Sequence, residues 1–255
     1  MYEEGHFLMD EQSLEYVEFM DKLGIDKCFL MGHSGGTLVA QAIGMRLDKQ
    51  ERLLGIGLMG AMPHMNHEKL KHDESFLALP ASDGQTMKAA RTTAEMTPAC
   101  CTCLSTKYLI DNFMAPDMTF KNRTTEDPGF ADMLYTASMR DNDGGTEERN
   151  AEMDKSLFMV ASSLEAYLYG QNYDTIMSCD MYRLMGATWG ELDNATIAAP
   201  ISVYNGSHDK TCPAELLPSF SKLYPNVKTI TLEGHGHCTM FTELERIVKE
   251  VTSQI

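Results

Sequence analysis

The residues Gly32-His33-Ser34-Gly35-Gly36 stand between two segments of opposite periodicity. Before them DKCFLMG is a short apolar run bounded by Asp26 and Gly32, the profile of a strand covered on both faces. After them GGTLVAQAIGMRL takes up helical spacing. A buried strand that turns this sharply into a helix requires small residues at the turn, where neighbouring atoms pass close to the backbone. It also narrows the architecture to helices laid on a parallel sheet.

The rest of the chain repeats the pattern. Residues 11–24 place Leu14, Val17, Met20 and Leu23 three apart, with Ser13 positioned to cap a helix and Gly24 to stop it. RLLGIGLMG, APISVYNG and KTITLEG, ending at Gly60, Gly206 and Gly234, are further apolar strands, and MFTELERIVKEVTSQI closes the chain with Phe241, Leu244, Ile247, Val248 and Val251 on one helical face. Between the two ends, residues 62–190 are rich in Met and polar residues and carry loop signals at TTEDPG and RDNDGG. The fold class expected is therefore α/β. Residues 1–61 form the first part of a parallel-sheet core, 62–190 a helical insertion, and 191–255 the second part of the core.

Charge narrows the partners. Lys and Arg number 21 against 37 Asp and Glu, a net charge of −16, and no stretch gathers basic residues into a stripe that could neutralise phosphates. Nucleic acid and anionic membrane are poor partners on that ground. Apolar runs such as 53–62 and 157–161 fall far short of the roughly 20 residues that span a bilayer. The acidic start MYEEGHFLMDEQ lacks the basic and apolar regions of a signal peptide, so the cytoplasm is the expected compartment. Seven cysteines at irregular spacing suit free thiols better than a disulfide framework, and the Asn-x-Ser/Thr matches at Asn122, Asn194 and Asn205 matter only on the secretory route.

A serine hydroxyl needs a general base, and the base needs an orienting carboxylate. Asp209 follows the PISVY strand, and His235 and His237 follow the next one, so all would lie at the carboxyl ends of parallel strands, where open α/β sheets collect their sites. Ser34 on its turn, with the N–H of Gly35 aimed at a developing oxyanion, completes the set. Each motif alone is equally compatible with a turn that serves backbone geometry; together, in this order, they are much more specific.

At these residues the chain resembles the α/β-hydrolase family. Gly206, Asp209 and Pro213 match its acid loop G-x-x-D-x-x-x-P, and Gly234, Gly236 and His237 match its histidine loop G-x-G-H. The resemblance implies a Ser34-His237-Asp209 triad with His235 as a neighbour, a helical cap over residues 62–190, a small acyl substrate, and neither cofactor nor metal. It implies cleavage of a carboxylic ester or related acyl bond through an acyl-enzyme; the other class open to the same residues is a non-enzymatic binding module of this fold. A serine at the elbow argues against the branches of the family that use Asp there, the dehalogenases and epoxide hydrolases.

The family places about four strands ahead of the helix that precedes the elbow, and one of their loops supplies a second oxyanion donor. Only ten residues stand there here, and Gly5-His6 reads as the tail of that preceding loop. The chain is thus expected to be part of a longer reading frame. Its elbow strand should carry an open edge inviting self-association or a partner chain. The weaker signals, His64, His67 and His72 as a loose metal set and Cys100-x-x-Cys103 as a redox pair, have bland counterparts in a solvated helix face and in free thiols.

Overall fold

A computed structural model describes residues 9–64, 67–71, 73, 146–149, 189–209 and 211–253. Most of the expected insertion, with His72, Cys100 and Cys103, lies outside the described residues, as do Gly5 and His6.

Four strands form one parallel sheet in the order β1 (Cys28–His33), β2 (Leu53–Met59), β3 (Ile201–Gly206) and β4 (Val227–Leu232). Helices α1 (Met9–Lys22), α2 (Gly36–Lys49), the short α3 (Glu68–Lys71), α4 (Leu217–Leu223) and α5 (Leu244–Thr252) complete the described fold. The strand side chains alternate. Ile56 and Leu58 of β2 and Val203 of β3 join a core with Met20 of α1, Leu38 of α2 and Phe220 of α4, while Met59, Tyr204 and Leu232 meet Ile247 and Val251 of α5 on the other face. Each fully buried Leu or Ile contributes about 1.5–3 kcal/mol.

Three local outcomes differ from the sequence pattern. Helix α1 buries Met9, Ser13, Val17 and Met20, and leaves Leu14 and Leu23 exposed. Ser13 sits inside the helix instead of capping it: its hydroxyl donates to the Asp10 carbonyl and accepts from Arg46 Nε, both at 2.6 Å, which locks α1 onto α2. Gly24 does end the helix, at φ +68°, with the Ile25 N–H reaching Met20 O and the Gly24 N–H reaching Asp21 O, the bond pair of a Schellman cap.

The second difference is β1. Its residues are only partly covered and Met31 is 39% exposed, whereas every residue of β3 is buried. Among the described residues β1 pairs with β2 alone, so the elbow strand is the edge of the described sheet. Third, His64 and His67 are buried. The His64 ring stacks on Trp189 at 3.8 Å with Nε2 3.6 Å from Asp193, and His67 meets it edge-on, so neither belongs to a solvated helix face. No described helix is long and apolar enough to cross a membrane.

Candidate active site

Because all four strands point the same way, the loops after β1, β3 and β4 emerge at one edge of the sheet. They carry Ser34, Asp209 and His237.

Ser34 adopts φ +54°, a left-handed conformation that costs a non-glycine residue about 1–3 kcal/mol and persists only where neighbours enforce it. Here its carbonyl accepts the Thr37 hydroxyl at 2.6 Å and the Thr37 N–H at 2.9 Å, closing the first turn of α2 over it. The first and last glycines of the turn are not equivalent. A Cβ on Gly32 would lie 2.9 Å from the Gly36 carbonyl and 3.0 Å from Ala40 Cβ, so the strand passes α2 only as glycine; a Cβ on Gly36 would meet nothing within 4 Å. Gly35 caps α2, and the N–H groups at the start of a helix have no intrahelical acceptor.

The acid loop surrounds one carboxylate with donors. Asp209 is buried; its Oδ1 accepts the N–H groups of Thr211 at 2.8 Å and Cys212 at 2.7 Å, and its Oδ2 accepts His237 Nδ1 at 2.8 Å. The carboxylate can only accept, so the proton of neutral His237 sits on Nδ1 and Nε2 keeps its lone pair. Gly206 makes the approach of the two loops feasible, since a Cβ there would lie 2.1 Å from the His235 carbonyl. That carbonyl instead accepts the His208 N–H at 2.9 Å, and the Gly234 N–H donates to Ser207 Oγ.

His235 turns the other way. It is 2% exposed, donates Nδ1–H to the Glu233 carbonyl at 2.9 Å, and faces Glu243 with Nε2 at 3.6 Å. Arg246, hydrogen-bonded to Glu243, holds that carboxyl below the usual range, with His235 and Arg149 adding to the effect.

A third histidine enters the site without a signal in the sequence beyond its place in the turn. His33 donates Nε2–H to the His237 carbonyl at 2.9 Å, and its ring lies 4.7 Å from that of His237 and 4.5 Å from that of Phe241. Burial, reinforced by the neighbouring His237, pushes His33 down to about 3, against the opposing pull of its hydrogen bond. His33 is therefore neutral across the working range of pH.

One described trio has metal-ligating chemistry: the donor atoms of Asp209, Cys212 and His237 lie within 4.8 Å of one another. Asp209 and His237 already satisfy each other, and the second carboxylate oxygen takes two N–H groups, so an ion there would have to displace these bonds.

The model of the alpha/beta hydrolase fold family matches residues 2–244, and this chain belongs to that family. Among solved structures, a bromoperoxidase from Bacillus anthracis superposes with a TM-score of 0.56 at 13% identity, over 96% of this chain and 73% of its own. Est816, an N-acyl homoserine lactone degrading enzyme, gives 0.53 at 11% identity over 100% and 78%, and the epoxide hydrolase CorEH gives 0.53 at 17% identity over 97% and 74%. At these identities the likeness is one of fold. Comparison with curated proteins finds no significant match.

Proposed function

We propose that this chain is a serine hydrolase that cleaves a carboxylic ester, or a related acyl bond, of a small substrate. The observation that carries the reading is the 2.8 Å bond between Asp209 Oδ2 and His237 Nδ1, joined to a turn that holds Ser34 at positive φ by the bond from His33 to the His237 carbonyl. With Nδ1–H committed to Asp209, Nε2 is the basic nitrogen. It takes the Ser34 proton as Oγ attacks the carbonyl carbon, and Asp209 stabilises the imidazolium that results.

The carbonyl oxygen gathers negative charge as the tetrahedral intermediate forms. The Gly35 N–H, at the positive end of α2, is the donor assigned to it. His237 then gives the proton to the leaving alkoxide, the acyl-enzyme forms, and a water activated by the same nitrogen releases the acid.

A fluorophosphonate probe tests this directly. Labelling of the purified wild type that disappears in Ser34→Ala is the expected result. Absence of labelling in a folded, monodisperse sample would sink the enzyme and leave a binding module of the same fold. An ester panel with p-nitrophenyl acyl chains of increasing length then reads the size of the acyl pocket.

A further inference from the structure

The segment at the end of β2, Met59-Gly60-Ala61-Met62, contributes no triad residue, yet it touches every loop that does. The Met59 carbonyl accepts the Ser34 N–H at 3.0 Å. The Gly60 N–H donates to the Tyr204 carbonyl at 2.8 Å, next to the acid loop. Ala61 is clasped at both polar groups by the Asn205 side chain: its N–H donates to Oδ1 at 2.8 Å and its carbonyl accepts Nδ2–H at 3.2 Å. The same Nδ2 donates to the Pro213 carbonyl at 3.2 Å, which closes the acid loop around Asp209.

Met62 repeats the arrangement toward the elbow. Its N–H donates to Thr37 Oγ1 at 3.2 Å, the hydroxyl that also holds the Ser34 carbonyl, and its own carbonyl accepts Gln41 Nε2–H at 2.9 Å. Gln41 is fixed in turn by the Tyr224 hydroxyl at 2.8 Å. All of this is dry: Ala61, Asn205, Thr37 and Gln41 are fully buried and Met62 nearly so. Hydrogen bonds there are costly to leave unmade, so the segment has little freedom to shift.

The third loop meets the segment through an absent side chain. Gly60 has φ +53°, and a Cβ on it would lie 2.9 Å from both Cε1 and Nδ1 of His237 and 3.0 Å from Met240 Cε. The bare Cα is thus the surface against which the edge of the imidazole rests, on the side that carries the Asp209 bond.

From these contacts we infer that Met59–Met62 is the positioning element of the site, registering the serine, acid and histidine loops against one another, with Gly60 setting where the His237 ring lies. The inference deepens the hydrolase reading and rests on it for its kinetic arm. None of these residues touches the reacting atoms. They act by fixing the nucleophile, base and orienter to a common backbone, and a misplacement of about 1 Å in such a set costs on the order of 10²-fold in rate.

The test uses Gly60→Ala in the full chain, with two readouts. The first is kcat and KM for p-nitrophenyl butyrate: kcat should fall by about 10²-fold with KM nearly unchanged. The second is the far-downfield proton resonance of His237 Nδ1–H in its bond to Asp209, assigned by its loss in Asp209→Ala. It should shift or broaden in Gly60→Ala while circular dichroism shows an intact fold.

Should Gly60→Ala not fold, Thr37→Val decides. It keeps the volume of the side chain but removes the hydroxyl shared by Met62 and Ser34. A fall in kcat of roughly tenfold with a displaced resonance supports the inference. A folded variant that loses only thermal stability, with kcat and the resonance of the wild type, overturns it. If the wild type takes no fluorophosphonate label, the hydrolase reading fails on its own, and the resonance still judges the positioning role.

Discussion

His235 and His237 stand in one short loop, separated only by Gly236, and their surroundings are opposite. His237 points toward the acid loop, bonds Asp209 and stays partly exposed; His235 points under the start of α5, where its two nitrogens meet the Glu233 carbonyl and the neighbourhood of Thr242 and Glu243. The same residue type thus serves as a candidate base in one place and as packed, hydrogen-bonded filling in the other. What separates them is the direction the backbone imposes after β4: the His235 carbonyl is tied to His208, and the His237 carbonyl to His33.

The largest effect should come from His237→Ala, with a fall in kcat on the order of 10⁶-fold measured on any ester the wild type turns over. Activity that survived this change but not His235→Ala would invert the comparison. Asp209→Asn should cost on the order of 10⁴-fold, because the amide leaves His237 in the wrong tautomer while the fold persists. His235→Gln should leave kcat within about threefold and instead lower the unfolding free energy by about 1–3 kcal/mol, read by urea titration.

His33 sharpens the comparison from the elbow side, through pH. Its folded pKa of about 3 lies below the ordinary histidine value near 6.5, so the unfolded chain takes up a proton that the folded chain refuses. The stability this residue supports is complete above pH 6.5 and is lost as pH falls toward 3. At pH 5.5 the loss should be roughly 1 kcal/mol relative to neutral pH, and His33→Gln should abolish that part of the slope. Parallel urea titrations of the two proteins at both pH values check it.

The fold was largely legible along the chain because its signals are local. Short apolar runs ending in glycine gave all four strands, and Gly24 gave the end of α1 through a cap that only a left-handed residue makes easily. Which face of α1 is buried was less legible: Leu14 and Leu23 fit the period, but the helix turned so that Ser13 could serve Arg46. Likewise, the apolar content of β1 reads as a strand covered on both faces, and its partial exposure depends on the strand having one described neighbour.

Within the candidate site, residue type and order determined which side chains were worth watching, because a nucleophile, a base and an acid on strand ends leave a pattern of glycines and polar residues along the sequence. The G-x-G-H resemblance already pointed to His237 over His235, and it is His237 that bonds Asp209. Two matters were decided only by the tertiary structure. Burial made His33 a neutral donor to the His237 carbonyl. Asn205, a mere sequon match in the sequence, became the clasp between Ala61 and Pro213 because parallel strands brought residues 144 apart to hydrogen-bonding distance. Local patterns are written residue by residue, whereas the contacts that aim a side chain are made by whatever the fold brings against it.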